Sequence, residues 1–339
     1  NLIKDLLKKY GQTFCSPKSY NNHFGVPLSL SNLKTNDQFG VFEVGMSRAG
    51  EIDKLSRLIK PHFGIITNIG EAHIENFKNL GGIAAAKAEI INNITEKGTL
   101  ILNRDDQYFS YLEKKGKLKN LKIVSFGMNK KADVYPIKIF KSRNVNKLVI
   151  RIKEKILSFE TKNLNIYNVL SSLALLNELN LNLKVILKLY KNFEPSEGRG
   201  KIHKITRYNK KFKLIDESYN ANPLSVKNAI KSFNLIKKKK FKKYLFLGDM
   251  LELGKKSEIL HKDLSKVINN SDIDKVFIKG SKTLSTYKNI NKVKRGNIFQ
   301  HDEDVDFTLN DIIANNDYLM IKGSNATGLN YLSKRMIKG

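Results

Sequence analysis

Three side chains in the first half of the chain have types that could hold a divalent metal ion beside a phosphorylated ligand. Glu43 ends a short apolar run, His73 follows the apolar run 63–69, and Lys87 lies in an alanine-rich stretch with a helical pattern. In an open parallel sheet, residues just past the carboxyl ends of the strands meet at one crevice where ligands bind. A carboxylate and an imidazole there could hold Mg²⁺, which needs few protein ligands because it keeps water and phosphate oxygens.

Each of these residues also has an ordinary interpretation when it is taken alone. A glutamate at a strand end is commonly part of a loop ion pair, and a single histidine is commonly a surface or capping residue. A lysine on a helix is ordinarily a solvated charge. Only the surrounding motifs decide between the two interpretations.

The elements that would position these side chains alternate between short β-branched runs and helical patterns, which is typical of βαβ units and a mostly parallel sheet. In the first half the predicted strands are 39–44, 63–69, 100–103 and 123–126, the predicted helices are 2–9, 83–92, 167–179 and 183–190, and 147–159 alternates like a hairpin arm. After a turn-rich stretch at 194–200, a second series has predicted strands at 212–215, 244–247, 275–278 and 318–321.

The length and the linker predict two α/β domains. A chain of 339 residues is long for one compact core. We expect a central domain with a mostly parallel sheet over residues 1–196 and a Rossmann-like α/β domain over residues 197–339, divided near the turn-rich stretch. No apolar run approaches the roughly 20 residues that span a bilayer, and the N-terminus lacks the pattern of a signal peptide. The single cysteine, Cys15, fits a reducing compartment, so we expect a cytoplasmic protein, and a monomer.

The net charge of +29 raises the question of nucleic-acid binding. The lysines are scattered over nearly every predicted surface and accompany an excess of Asn and Ile, which indicates compositional drift rather than a binding patch. The densest run, 237–243, lies between a helix and a strand, where we expect a solvated loop. We therefore expect no nucleic-acid partner.

The segment 68–90, NIGEAHIENFKNLGGIAAAKAEI, resembles the signature of the Mur ligases, the ATP-dependent enzymes that build the peptide stem of the bacterial cell wall. The resemblance implies that Glu43 and His73 bind the Mg²⁺ ions that bridge nucleotide and substrate. It also implies that Lys87 is carbamylated and that its new carboxylate holds a second Mg²⁺. Such a modification turns a cation into an oxygen ligand for a metal.

Two further segments are similar to nucleotide-binding parts of this family. Residues 164–168, LNIYN, match an adenine-contact segment, although Leu164 stands where a histidine is usual. The resemblance implies that Asn165 and Asn168 offer amide groups to the purine, while local sequence alone equally allows Asn165 to be a helix N-cap. Arg199, between two glycines, corresponds to an interdomain arginine that reaches phosphate; without the resemblance it would be an ordinary linker charge.

Three motifs are similar to the branch of the family that adds D-alanyl-D-alanine. They are NNHFGVPL at 21–28, IDESYNANP at 215–223 and GDMLELG at 248–254, and they occur in the order expected for that branch. The resemblance implies ATP contacts from Asp216 and Asn220. It implies substrate contacts from the set Asn21, Asn22, Tyr219, Asn222 and Asp249. Taken alone, the asparagines before Pro223 would be a polar turn with proline at the first helical position.

The resemblance implies a ligase that uses ATP and Mg²⁺ to join D-alanyl-D-alanine to UDP-N-acetylmuramoyl-tripeptide through an acyl phosphate. Two alternatives stay open: a sister ligase, such as one that adds glutamates to folate, and a non-catalytic basic binding protein. A phosphate loop is also expected, yet no Gly-Lys-Thr or Gly-Lys-Ser occurs in the sequence. In the family that loop stands just before the helix to which 2–9 corresponds, so we expect the chain to be a fragment, or completed by another chain, and inactive as it stands.

Overall fold

The computed structural model describes residues 1–339 apart from 18, 141–144, 163, 238–239, 302 and 339. Its contacts divide the chain into two compact units. Unit 1 comprises Asn1–Ile69 and Phe77–Phe193, and unit 2 comprises Gly70–Asn76 and Glu194–Gly339. Both units are α/β, as the sequence predicts; the domain boundary between residues 196 and 197 stays a prediction.

Unit 1 contains seven labelled helices and eight strands within the described residues. The helices are α1 (Leu2–Leu7), α2 (Gly25–Ser31), α3 (Glu51–Ile59), α4 (Leu80–Ala88), α5 (Phe109–Leu118), α6 (Ile166–Glu178) and α7 (Leu187–Asn192). The strands are β1 (Thr13–Cys15), β2 (Phe39–Val41), β3 (Phe63–Ile66), β4 (Thr99–Asn103), β5 (Lys122–Phe126), β6 (Val134–Phe140), β7 (Asn146–Ile152) and β8 (Lys155–Thr161). Short 3₁₀ turns follow α4 and precede α7.

The main sheet of unit 1 has the order β3-β4-β5-β6-β7-β8. Pairing is parallel from β3 to β6 and antiparallel from β6 to β8. Strands β1 and β2 pair in parallel as a separate two-stranded sheet. The hairpin predicted at 147–159 is confirmed as β7 and β8, and the mostly parallel sheet is confirmed as well.

Helix α6 covers this sheet and explains where the core of unit 1 lies. Its residues are apolar nearly all round, as expected for a helix that is buried on most faces. Val169, Leu170, Leu173 and Leu176 are fully buried, and they belong to one cluster with residues of β4 to β8. Burying each such side chain contributes about 1.5–3 kcal/mol. The main sheet of unit 1 is therefore supported by a well-packed apolar core.

Two predicted elements of unit 1 end earlier than the sequence suggests. The strand predicted at 39–44 ends at Val41, because the chain then turns so that the Gly45 N–H donates to the backbone oxygen of Asn21. The helix predicted at 83–92 is α-helical only to Ala88 and continues as a 3₁₀ turn, in which the Glu89 carboxylate accepts hydrogen bonds from backbone N–H groups of α3 and its N-cap.

Unit 2 contains five labelled helices and six strands within the described ranges. The helices are α8 (Pro223–Asn234), α9 (Ser257–Asn269), α10 (Leu284–Asn289), α11 (Glu303–Ile312) and α12 (Leu329–Lys338). The strands are β9 (Lys201–Arg207), β10 (Lys210–Glu217), β11 (Lys243–Gly248), β12 (Lys275–Lys279), β13 (Arg295–Phe299) and β14 (Tyr318–Lys322). All four predicted strands are confirmed; β9 and β13 were not predicted.

The sheet of unit 2 is Rossmann-like, with the order β13-β12-β11-β14-β10-β9. Only β9 runs antiparallel. The chain moves outward from β11 to β13 and then returns to place β14 between β11 and β10. Such a reversal of strand order opens a crevice at the carboxyl ends of the strands. The sheet therefore predicts a ligand site at the ends of β10, β11 and β14.

The lysine-rich run 237–243 lies partly outside the described residues, at 238 and 239. The prediction of a solvated loop over 237–243 is wrong at Lys243, the last residue of the run. Lys243 begins β11 and its side chain is fully buried, with Nζ donating to both carboxylate oxygens of Asp272 at 2.8 Å. Burial of a lysine requires such a partner. None of the helices in the described part of the chain is long and apolar enough to cross a membrane.

The packing of α6 makes a first testable prediction. Leu170→Ala should lower the free energy of unfolding of unit 1 by about 2–5 kcal/mol, because it leaves a cavity under a fully buried helix face. The matched control is Leu118→Ala on α5, where the leucine is 77% exposed and the change should stay within about 0.5 kcal/mol. Urea unfolding measures both, and equal losses would contradict this assignment of the core.

Candidate functional site

Asp216, near the end of β10, is a buried carboxylate that binds both the turn before β9 and the loop after β10. Its Oδ2 accepts a hydrogen bond from the Gly198 N–H at 2.8 Å. Its Oδ1 accepts from the backbone N–H and the hydroxyl of Ser218, at 3.2 and 2.6 Å. Asp216 was predicted to contact ATP; here both of its oxygens hold backbone.

The turn Gly198–Arg199–Gly200 docks on this strand end through both glycines. Gly198 and Gly200 have φ values of +73° and +91°, which other residues adopt only with strain. A Cβ on Gly198 would lie 2.8 Å from Cβ of Tyr219, and the Gly198 oxygen accepts from the Tyr219 N–H. Arg199 is exposed, with its guanidinium carbon 4.4 Å from the centroid of the Tyr219 ring. Two predicted ligand contacts, Arg199 and Tyr219, are thus brought together.

The asparagines after Tyr219 shape the start of α8. Asn220 is exposed, and its Oδ1 accepts from the Ala221 N–H at 2.8 Å. Asn222 is the N-cap of α8: it accepts from the Ser225 N–H in a capping box, and Pro223 occupies the first turn. The local interpretation of Asn222 as a polar turn is therefore observed, while a substrate contact from either asparagine stays a prediction.

Asp249, directly after β11, holds a second loop in the same way. It is only 8% exposed, and it accepts hydrogen bonds from the backbone N–H groups of Lys282 and Thr283 and from the Thr283 hydroxyl. A Cβ on Gly280 would lie 2.4 Å from the Asp249 carboxylate. Only glycine fits there, so the loop after β12 is fixed against the end of β11.

His261 on α9 fixes the following residues of the GDMLELG motif. The side chain is fully buried; Nε2 accepts from the Met250 N–H at 3.0 Å and Nδ1 lies 2.7 Å from the Ser257 oxygen. These contacts define a neutral ring with its proton on Nδ1. Burial lowers the pKa of His261, although the Ser257 contact and the Asp249 charge act in the opposite direction.

His73, a predicted metal ligand, lies in the segment Gly70–Asn76, which belongs to unit 2. Its φ of +58° is in the left-handed region, unusual for a residue other than glycine. Its Nδ1 is 2.5 Å from Oε2 of Glu252 in the GDMLELG motif. The backbone N–H of Glu75 also donates to the Glu252 oxygen at 3.2 Å. Nε2 is thus the ring nitrogen that would face a metal.

Lys87 reaches from α4 to the carboxyl end of β3. Its Nζ donates to the backbone oxygen of Asn68 at 2.8 Å. Burial lowers the pKa of Lys87, and the nearby Asp106 charge only partly opposes this shift. Asp106 in turn accepts from the Ile69 N–H at 2.7 Å and from the Tyr108 N–H at 2.9 Å. Lys87 Nζ therefore lies just beyond the carboxyl end of β3, and its role in binding a metal stays a prediction.

Glu43 lies two residues beyond β2 and is exposed. Its Oε1 accepts from the Asn21 side-chain amide at 3.0 Å, so two of the predicted site residues are in contact. The neighbouring Asn22 accepts from the backbone N–H groups of Phe24 and Gly25, which begin α2. Within unit 1, no hydrogen bond or ion pair between described residues joins Glu43 to Lys87.

Asn165 and Asn168 lie at the beginning of α6, apart from these contacts. Asn165 is the N-cap, and its side chain accepts from the Tyr167 N–H at 2.9 Å, as local sequence allowed. Asn168 is exposed. Burial raises the pKa of Tyr167 to about 12, and the neighbouring Asp105 acts in the same direction. Whether either asparagine contacts a purine stays a prediction.

Sequence reasoning missed several titratable residues that hold these loops in place: Asp106, Glu217, Glu252, His261 and Lys322. Lys322 could have been noticed, because it is a charge at the end of an otherwise apolar strand. The others act through partners distant in sequence. Across the described ranges, no three His, Cys, Asp or Glu side chains come close enough to form a ready-made metal cluster. Mg²⁺ binding would thus draw on few protein ligands together with ligand oxygens.

Both units place polar and charged side chains at the carboxyl ends of parallel strands, on loops that buried carboxylates hold in place. This combination defines an α/β enzyme that binds its substrates at sheet edges, with residues of strand-end loops carrying the chemistry.

Comparison with known proteins narrows that class. Residues 1–176 match the Mur ligase middle domain, and residues 201–325 match the Mur ligase glutamate ligase domain. The UDP-N-acetylmuramoyl-tripeptide–D-alanyl-D-alanine ligase of Buchnera aphidicola is 29% identical over 99% of this chain and 72% of the relative. Among solved structures, MurF from Acinetobacter baumannii has a TM-score of 0.88 at 24% identity, over 100% of this chain and 73% of that one. MurF ligase from Thermotoga maritima in complex with ADP has a TM-score of 0.87 at 22% identity, over 99% and 76%.

The chain belongs to the Mur ligase family, whose members are ATP-dependent ligases. The solved structures support the fold, and the match to the middle domain covers the segment with Glu43, His73 and Lys87.

The buried imidazole of His261 makes the stability of unit 2 depend on pH. Because its pKa is lowered below 6.5 in the folded chain, the unfolded chain binds the proton more tightly. Stability is therefore full above about pH 7.5 and falls as pH drops below 6.5, by at most about 1.4 kcal/mol per pH unit. His261→Gln, which does not titrate, should remove this component. Urea unfolding between about pH 5 and 8 checks it; parallel pH profiles for the two proteins would contradict it.

Proposed function

We propose that this chain carries the catalytic and acceptor-binding parts of a ligase that joins D-alanyl-D-alanine to UDP-N-acetylmuramoyl-tripeptide at the expense of ATP. The relatives with that name support the proposal, since the similarity runs over nearly the whole chain. The structural observation that carries it is Lys87, a lysine with a lowered pKa held at the carboxyl end of β3. We further propose that the protein acts as a monomer in the cytoplasm.

The environment of Lys87 suits carbamylation. The reaction requires the neutral amine: its nitrogen attacks carbon dioxide, an N–C bond forms, one proton leaves to solvent, and a carbamate anion results. Burial favours the neutral amine at Lys87 because a buried ammonium loses its hydration. The carbamate would present two oxygens where the ammonium now contacts Asn68.

We propose Glu43, His73 and Lys87 as ligands of Mg²⁺ because the chemistry of their donor atoms suits that ion, with ligand oxygens completing its coordination. Glu43 would offer Oε2, since Oε1 already accepts from Asn21. His73 would offer Nε2, because Nδ1 faces Glu252. The carbamate of Lys87 would supply an oxygen. Bound Mg²⁺ neutralises charge on the phosphates during transfer.

Ligand contacts are proposed for each unit by itself. Arg199, held over the Tyr219 ring, would bind phosphate oxygens. Asp216 would act through the turn that it holds, and Asn220 through its exposed amide. Asn165 and Asn168 would face the purine. Asn21, Asn22, Tyr219, Asn222 and Asp249 would line the substrate side, Asp249 through the loop it fixes.

In the proposed reaction, an oxygen of the tripeptide's terminal carboxylate attacks the γ-phosphorus of ATP, and the bond from that phosphorus to the β-γ bridging oxygen breaks to release ADP. The amine of D-alanyl-D-alanine then attacks the acyl carbon, loses a proton, and displaces inorganic phosphate as the amide forms. Positioning and charge neutralisation account for most of the rate in such transfers.

Lys87 gives the sharpest test. Ligation should be assayed as phosphate release and tripeptide extension. Lys87→Ala should lower kcat at least about 100-fold, in the range of a lost charge-stabilising group. Lys115→Ala, an exposed lysine on α5, is the control and should leave kcat unchanged.

Two results would count against the proposal. Extension of a different substrate pair, with none for D-alanyl-D-alanine, would favour a sister ligase. An unchanged kcat in Lys87→Ala would remove Lys87 from the site.

A further inference from the structure

Lys322 is a buried lysine at the carboxyl end of β14 for which the ligation chemistry gives no role. Its side chain is 2% exposed. Nζ donates to the backbone oxygen of Asn220 at 2.6 Å and to that of Glu217 at 3.4 Å, and lies 3.6 Å from Oε2 of Glu217. A buried ammonium is kept only where its partners compensate for lost hydration. Lys322 therefore holds the loop after β10 in place by donating to the backbone oxygens of Glu217 and Asn220.

Glu217 lies between Lys322 and the Gly198–Arg199–Gly200 turn. A Cβ on Gly200 would lie 3.0 Å from Glu217 Oε1, so the carboxylate packs directly against the turn. Burial raises the pKa of Glu217, while the charges of Lys322 and Arg199 both act to lower it. Burial likewise lowers the pKa of Lys322, which Glu217 raises and Arg199 lowers further. The charges of Arg199, Glu217 and Lys322 therefore act on one another. We call these three residues the charged row.

The charged row contains two cations and one carboxylate, and the neighbouring Asp216 carboxylate, whose charge also acts on Glu217, is occupied by the Gly198 and Ser218 donors. Because Lys322 is buried and bonded to Glu217 and Asn220, it is the cation that Glu217 neutralises. Arg199 is the other cation of the row, and it is exposed and stacked on Tyr219. This arrangement favours an anionic oxygen at Arg199.

We infer that Lys322 is a positioning residue whose ion pair with Glu217 keeps that carboxylate away from Arg199, so that the guanidinium stays available for the phosphate of the nucleotide. Lys322 itself touches no ligand. The phosphate as ligand rests on the proposed function, whereas the competition between the two cations for Glu217 rests on the geometry alone.

Removing Lys322 should redirect Glu217 to the remaining cation. In Lys322→Met the Glu217 carboxylate should pair with Arg199, and ADP affinity in the presence of Mg²⁺ should fall about tenfold or more. In the double variant Lys322→Met/Glu217→Gln no carboxylate remains at position 217 to pair with Arg199. Its ADP affinity should return to within about threefold of the unsubstituted chain, a rescue that loss of packing alone would not give.

The test combines a ligand-free signal with ADP titration of the full chain. The Arg199 Nε–H resonance, assigned by its absence from Arg199→Lys, should show fast solvent exchange in the unsubstituted chain and in the double variant, and slow exchange in Lys322→Met. Isothermal titration with ADP and Mg²⁺ should show the loss and its rescue.

The outcomes separate the two levels of inference. Unchanged Arg199 exchange in Lys322→Met overturns the positioning role, whether or not ADP binds. A double variant as weak as Lys322→Met also overturns it. If Lys322→Met does not fold, ADP titration of the double variant decides alone. A loss of ADP affinity of tenfold or more in the double variant would overturn the inference, because it would mean that the Lys322 charge is itself needed. Absence of ADP binding in the unsubstituted chain, with the exchange pattern as expected, counts against the nucleotide assignment and leaves the pairing intact.

Discussion

Aspartates at or just beyond the carboxyl ends of strands, two of them buried, hold the loops on which the proposed chemistry depends. Asp216 binds the Gly198 and Ser218 N–H groups, Asp249 binds those of Lys282 and Thr283, and Asp106 binds those of Ile69 and Tyr108. A carboxylate has two oxygens and can therefore tie together two chain segments that are far apart in sequence. Hydrogen bonds to charged groups contribute about 1.5–3 kcal/mol each. The loops are thus fixed before any ligand arrives.

Because these aspartates bind backbone N–H groups, other charged side chains remain available to contact ligands. The aspartates are occupied by backbone donors, while Arg199 lies on the turn that Asp216 holds and Lys87 reaches from α4 to Asn68, next to the Ile69 N–H that Asp106 binds. The Nδ1 of His73 is occupied by Glu252, which leaves Nε2. A rigid base with exposed functional groups suits phosphoryl transfer, where positioning accounts for much of the rate.

The sequence predicted most of the strands well, because apolar runs are local signals. These runs gave β3, β4, β5 and four of the five parallel strands of unit 2, and the flanking motifs placed Lys87 and Arg199 near strand ends and turns, while their roles stay predictions. It could not predict that Asp216 would hold a turn eighteen residues earlier, or that Lys322 would lie under Asn220. The first pairing depends on how the turn before β9 folds back on β10, and the second depends on β14 pairing beside β10, a long-range event without a periodic pattern. The asparagine motifs allowed two interpretations, ligand contact and helix capping. The observed contacts of Asn165 and Asn222 are those of helix N-caps.

Amide hydrogen exchange at Gly198 tests the role of these carboxylates most directly. Asp216→Asn offers one oxygen where the carboxylate offers two, so the Gly198 N–H should lose its acceptor or share it with Ser218. We predict slow exchange at Gly198 in the unsubstituted chain and exchange about 10–100 times faster in Asp216→Asn, as expected for the loss of one charged hydrogen bond. Amides of β11 should be unaffected. Equal exchange at Gly198 in both proteins would contradict the role given to Asp216.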